Sequence, residues 1–172
     1  MYSLTNDLEQ IVKALREASI SFEIVGGVAV NAHIFPTHRS HSFVTGEIDI
    51  LIHRSDHERA AAALTRQGHE LAEAVDLLFV GEKSKSTQPL PHPDLHPEEK
   101  DFLGIAIPVA PLRDLLQMKL SSFRPKDLVH LEILDEAGLI TPALEGELPV
   151  ELRVRLKEAR KRIAEDQPDI EG

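Results

Sequence analysis

Apolar residues recur at Leu8, Ile11, Val12, Leu15 and Ala18, a spacing of three and four that predicts a helix over residues 6–18. Phe22 to Val25 is a short apolar run stopped by Gly26-Gly27, the pattern of a first strand. Val28 to Ile34 predicts a short helix that ends before Pro36, because the residue preceding a proline is pushed out of helical geometry. PTHRSHSFVTG, residues 36–46, reads as a loop, and Ile48 to Ile52 as a second strand. Ser55-Asp56-His57-Glu58 has the spacing of a capping box opening a helix, which Gly68 closes. Val75 to Val80 predicts a third strand, and residues 81–100, with four prolines and many polar groups, a long loop. Gly104 to Val109 predicts a fourth strand. Pro111 then starts a helix in its first turn, where proline is tolerated, and Arg124-Pro125 breaks it. A further helix spans Lys126 to Ala137 and stops at Gly138, and a charged amphipathic helix covers 149–165.

This order is helix, strand, helix, strand, helix, strand, strand, then helices. It predicts an α/β (α+β) fold with a small sheet flanked by helices and a helical C-terminal extension. Residues 1–110 form the expected α/β core. Residues 111–172 form a helical part packed on the same domain, with no linker or internal repeat between them.

Composition narrows the classes. The 172 residues are 42% apolar and 28% charged, ordinary for a globular protein, and no apolar run reaches membrane-spanning length. MYSLTNDLEQ has neither a basic region nor an apolar core, so no signal peptide is expected. There is no cysteine, which excludes disulfides and thiolate metal sites and fits a reducing compartment; a cytoplasmic protein is the expectation. A formal net charge of −10 makes autonomous nucleic-acid binding unfavourable, since phosphate contacts need clustered Lys and Arg. One local basic cluster exists. Arg153, Arg155, Lys157, Arg160, Lys161 and Arg162 surround the apolar stripe Leu152, Leu156, Ala159 and Ile163, as a solvated helix face or as a surface for an RNA acceptor.

The candidate chemistry lies in VTGEIDILI, residues 44–52. Residues two apart on a strand share a face, so Glu47 and Asp49 project together while Ile48 and Ile50 point to a core. Two carboxylates this close repel and raise each other's pKa unless a cation lies between them. Mg²⁺ takes oxygen ligands, commonly one or two carboxylates completed by substrate phosphates. The pair is therefore either two solvated acids at a strand end or part of a metal-dependent phosphoryl or nucleotidyl transfer site. Gly26-Gly27, between a strand and a helix, adds a backbone that a phosphate can approach closely.

IVGGVAVNAH followed by TGEIDILI resembles the nucleotidyltransferase superfamily of the DNA polymerase β type, in particular its small bacterial branch that includes abortive-infection toxin nucleotidyltransferases. Gly26, Gly27, Ala29 and His33 match that branch's glycine pair and Ala-x-x-x-His helix. Thr45, Glu47 and Asp49 match its Thr-x-Asp-x-Asp strand. Asp76 in VDLLFV stands at its third carboxylate, and Lys119, Leu120, Arg124 and Asp127 match its Lys-Leu-x-x-x-Arg-x-x-Asp helix. The resemblance covers residues 24–134. It implies a mixed nucleotidyltransferase-type sheet and Mg²⁺ (or Mn²⁺) held by Glu47, Asp49 and Asp76. An NTP would contact Gly26, Gly27, Arg39, Thr45 and Lys119, and its nucleoside monophosphate would pass to a small molecule, an RNA end or a protein hydroxyl. The toxin association implies an antitoxin as a candidate partner; no membrane partner is expected, because no apolar run is long enough to span one.

The sequence also departs from the branch. Glu47 replaces aspartate and is one methylene longer. The stretch between Gly27 and Glu47 is extended, with His38, Arg39 and His41 in the excess, and His130 stands where a second acid is common. A rival reading follows: the same fold with impaired chemistry, binding a nucleotide or only a partner protein. Lys119 is either a surface lysine or a phosphate contact, Arg124 and Asp127 have the spacing of a local salt bridge, and His33 packs or caps its helix. The close pairs His38/His41, His53/His57 and His92/His96 invite a zinc reading, but none forms HExxH.

Overall fold

Alternation along the strands sorts this protein's side chains onto the two faces of one sheet. The computed structural model describes residues 4–35 and 46–167. Its elements are α1 (Leu4–Glu17), β1 (Phe22–Val25), α2 (Gly26–Ile34), β2 (Ile48–Ile52), α3 (His57–Gln67), α4 (His69–Glu73), β3 (Val75–Phe79), β4 (Glu98–Phe102), β5 (Ile105–Val109), α5 (Leu112–Ser122), α6 (Pro125–Glu136), α7 (Pro142–Glu147) and α8 (Val150–Asp166). The five strands form a mixed sheet in the order β3-β2-β1-β5-β4. The β1/β2 and β4/β5 pairs are antiparallel, and the β2/β3 and β1/β5 pairs are parallel.

On one face Phe22, Ile24, Ile48, Ile50, Ile52, Ile107 and Val109 enter the main core with Leu8, Ile11 and Leu15 of α1 and most of α2. That core continues without a break through Leu115, Leu116 and Leu120 of α5, Leu131 and Leu134 of α6, and Leu152, Leu156 and Ala159 of α8. The stripe of α8 thus packs inward. Of its basic residues, Arg160 pairs with Asp135 and Glu145, Arg162 with Glu158, and Arg155 donates to the carbonyls of Leu120 and Ser121. On the opposite face Val25, Leu51 and Ala110 make a small second core with Leu78, Val80, Leu95 and Met118.

The structure differs from the sequence reading at four local points. The helix α2 opens at Gly26, two residues early. The expected capping box does not form: a 3₁₀ turn, Arg54–Asp56, precedes α3, no side chain caps α3, and Asp56 instead accepts from Arg59 at 2.7 Å. The stretch whose prolines predict a loop to residue 100 ends in β4, an edge strand of sequence EEKDF that buries only Phe102. Charged edge strands resist pairing with other chains, so they lack the apolar alternation by which strands are recognised. The short helices α4 and α7 were not anticipated from their sequences.

Candidate active site

The face of the sheet that carries the small core also carries the acids. Val25, Asp49 and Asp76 are register partners across β1, β2 and β3, so Asp49 and Asp76 lie side by side on one face. Glu47 precedes the first residue of β2 rather than lying in the strand. All three carboxylates line one cavity of about 200 Å³, together with Gly26, Lys119, Arg124, Lys126 and Asp127. Burial first, and then the Asp76 carboxylate, push the Asp49 pKa up, while Lys119 pulls it down.

Gly26 explains how Asp49 fits there. It has φ +65°, and a Cβ on it would lie 2.0 Å from Asp49 Oδ2. Only glycine lets the carboxylate lie against the first turn of α2. Gly27 is buried inside that turn and does not line the cavity. At the other end of α2, His33 Nε2 is 2.8 Å from the carbonyl oxygen of Ala110, tying the helix to the end of β5.

The cationic wall comes from the α5–α6 junction. Lys119 is only 4% exposed, so it is not a surface lysine. Its Nζ donates to Asp127 Oδ1 at 3.1 Å. Asp127 is fully buried and also accepts at Oδ2 from Ser122 Oγ at 2.6 Å, from the Arg124 backbone N–H at 2.9 Å and from Arg124 Nε at 3.0 Å. The Arg124–Asp127 bridge expected from spacing is thus one spoke of a hub that also caps α6. Burial raises the Asp127 pKa, but Lys119 and then the hydrogen bonds outweigh it and hold the group low. Burial pulls the Lys119 ammonium down against Asp127 and Asp49. His130 is buried nearby and is held to about 4 by burial and then by Lys119, so a neutral ring replaces the second acid.

The remaining wall is the segment after β3. Ser84, Lys85, Gln88, Leu90, Pro91 and His92 line the cavity. Gln88 Oε1 accepts from the Ser84 N–H at 3.2 Å, the His92 N–H donates to the Glu82 carbonyl at 2.8 Å, and Gln117 Nε2 donates to the Pro91 carbonyl at 3.1 Å. The His92/His96 pair parts company here. His92 contacts Phe79 and Ser84, whereas His96 Nδ1 lies 2.9 Å from Asp114 Oδ2.

Of the expected nucleotide contacts, Arg39 and Thr45 lie outside the described residues, as do His38 and His41. The polar, proline-bearing stretch 81–100, expected from sequence to border the cleft, does so through the wall from Ser84 to His92; which of its residues face the acids has no periodicity to announce it. Sequence reasoning missed Glu23, buried on the same sheet face with one oxygen accepting from the His96 N–H at 3.0 Å.

No protein-family model matches this chain, and no curated protein matches it. Among solved structures, it is similar to the antibiotic-resistance factor ANT(2'')-Ia, whose solution structure is reported to reveal substrate-regulated conformation dynamics. The likeness has a TM-score of 0.58 and 15% identity, over 93% of this chain and 92% of that chain. The fold is nucleotidyltransferase-like. At this identity the likeness is one of fold.

Among the described residues, no group of three His, Asp or Glu side chains stands close enough together to hold a metal ion. The donors nonetheless suit a hard cation. They are carboxylate oxygens, Asp49 is destabilised by burial and by Asp76, and Mg²⁺ commonly takes one or two carboxylates and completes its shell with phosphate. Among the described residues, no helix is long and apolar enough to cross a membrane.

Proposed function

We propose that this chain is a metal-dependent nucleotidyltransferase that moves a nucleoside monophosphate from an NTP to an acceptor hydroxyl. The observation that carries the reading is that Glu47, Asp49 and Asp76 line one cavity together with the buried Lys119. In this reading Glu47 and Asp49 hold Mg²⁺ (or Mn²⁺), with Asp76 as third carboxylate. When bound, the ion supplies positive charge to the transferring phosphate and the leaving pyrophosphate. Lys119 adds a fixed positive charge to the cavity lining, pre-positioned by Asp127. Gly26 lets the Asp49 carboxylate lie against the first turn of α2, so that the metal ligand and the helix N-terminus meet the phosphates together. Asp76, the more exposed member of the strand pair, takes the proton of the attacking hydroxyl.

The cavity, at about 200 Å³, is smaller than the roughly 300–1,000 Å³ typical of small-molecule pockets. It suits the reacting phosphates, and the nucleoside lies across its mouth. The acceptor, whether small molecule, RNA end or protein hydroxyl, and an antitoxin partner rest on the motif resemblance alone. The test is incubation with each α-labelled NTP, Mg²⁺ or Mn²⁺ and a cell extract. Label should pass to an acceptor with wild type and fall at least ~100-fold with Asp49→Asn, as for loss of a major electrostatic group. Nucleotide binding without transfer would favour the rival, a catalytically impaired nucleotide-binding protein of the same fold.

A further inference from the structure

The segment from Gly81 to His92 contains a side-chain arrangement that the proposed transfer does not use. The chain is pinned at both ends of this segment, Gly81 N–H to the His92 carbonyl at 3.0 Å and His92 N–H to the Glu82 carbonyl at 2.8 Å. Inside it, His92 Nδ1 lies 2.9 Å from the Phe79 carbonyl oxygen. A carbonyl only accepts, so Nδ1 carries the proton, and in the neutral ring Nε2 is left as an acceptor. Ser84 Oγ lies 3.1 Å from that Nε2 and donates to it. A hydroxyl donating to an imidazole whose far nitrogen is fixed by a third group is the arrangement that activates a serine nucleophile. His92 is 9% exposed, so its orientation is held by packing as well. Ser84 and His92 line the same cavity as Asp49 and Asp76, and Lys85 brings a positive charge beside them.

We propose that Ser84 is a self-modification site, accepting a nucleoside monophosphate from an NTP bound in the cavity, with His92 as its general base. The inference rests on the nucleotidyltransferase reading above. Ser84 Oγ attacks the α-phosphorus, so the Oγ–P bond forms as the bond from that phosphorus to the bridging oxygen of pyrophosphate breaks. Pyrophosphate leaves with the electron pair, and the serine proton passes to His92 Nε2 and then to water. His92 thus does for Ser84 what Asp76 does for a free acceptor. The product is a phosphodiester on Ser84 that fills the cavity wall, so the modification stops at one per chain.

The experiment uses the full chain with ATP, GTP, CTP or UTP and Mg²⁺ or Mn²⁺, and no acceptor. Intact mass is followed over time and the adduct is mapped by peptide sequencing, with NTP-induced thermal shifts measured in parallel. The expected result is a single nucleoside monophosphate on Ser84 in the wild type. The adduct should be absent in Ser84→Ala, retained in Ser84→Thr, and formed roughly 100-fold more slowly in His92→Gln, the scale of a lost general base. An unmodified wild type that still shows an NTP-dependent shift overturns the self-modification and leaves the nucleotidyltransferase reading standing. An adduct on another residue, or an equal adduct in Ser84→Ala, overturns it too. No shift and no adduct overturns both. Mapping on the wild type and the Ser84→Thr result decide the matter even if Ser84→Ala folds poorly.

Discussion

Gly26 is strained for any other residue twice over: φ is +65°, and the space of a Cβ is taken by the Asp49 carboxylate. Gly26→Ala should therefore lower stability by roughly 2–3 kcal/mol in urea denaturation, from left-handed backbone strain plus the clash, and should push Asp49 off α2. Unchanged stability would mean that Asp49 is not held where it is described. Glu23 offers a test by pH. Burial, with a lesser contribution from Asp114, raises its pKa from 4.5 to about 7, against the His96 N–H bond, which lowers it. A raised acid contributes stability that is complete below about 4.5 and is lost as pH rises through about 7. Glu23→Gln keeps an acceptor for the His96 N–H and removes the titration. Wild type should then lose up to about 3 kcal/mol relative to the variant between about pH 4.5 and pH 8, at about 1.4 kcal/mol per pKa unit. A difference that does not change with pH would contradict this. The residue signals visible in the sequence were those with spacing, Glu47, Asp49 and Lys119. Glu23 was not, because a single acid inside FEIV carries no indication of what covers it.

The α5–α6 junction is the element-scale counterpart. Arg124-Pro125 was legible as a break, because proline ends one helix and starts the next. What the break does was not legible: it turns Asp127 back to gather Lys119, Ser122 and Arg124. Asp127→Ala leaves a buried ammonium without its carboxylate and removes the α6 cap, and should cost roughly 3–5 kcal/mol by chemical denaturation. A cost below about 1 kcal/mol would show the pair to be solvated. Strands β1, β2, β3 and β5 were legible from apolar runs, and α1 and α8 from helical period. The edge strand β4 was not, since its faces are mostly charged, and the stretch 81–100 was legible as a loop but not its internal order at Ser84–His92, which comes from hydrogen bonds within the segment, to Phe79 and to Gln117.

At the scale of the whole molecule, one continuous core joins the α/β part to α5, α6 and α8, and the acids occupy the sheet face that this core does not cover. The predicted class, α/β with a small sheet flanked by helices, is the one observed, because alternation and period report burial directly; that the sheet is mixed was implied by the motif resemblance. Which parts of the chain close over the acidic face depends on the tertiary path after β3, which local sequence does not encode. The central claim is that Asp49 belongs to a metal-bound nucleotide site, and thermal melting tests it most directly. Wild type and Asp49→Asn are melted alone, with Mg²⁺, and with Mg²⁺ plus each of the four NTPs. Without ligand the variant should melt at or above the wild-type temperature, because it loses a carboxylate that burial and Asp76 destabilise when charged. With Mg²⁺ and the matching NTP the wild type should rise by several degrees and the variant should not move. An equal rise in both proteins, or none in either, would contradict the claim.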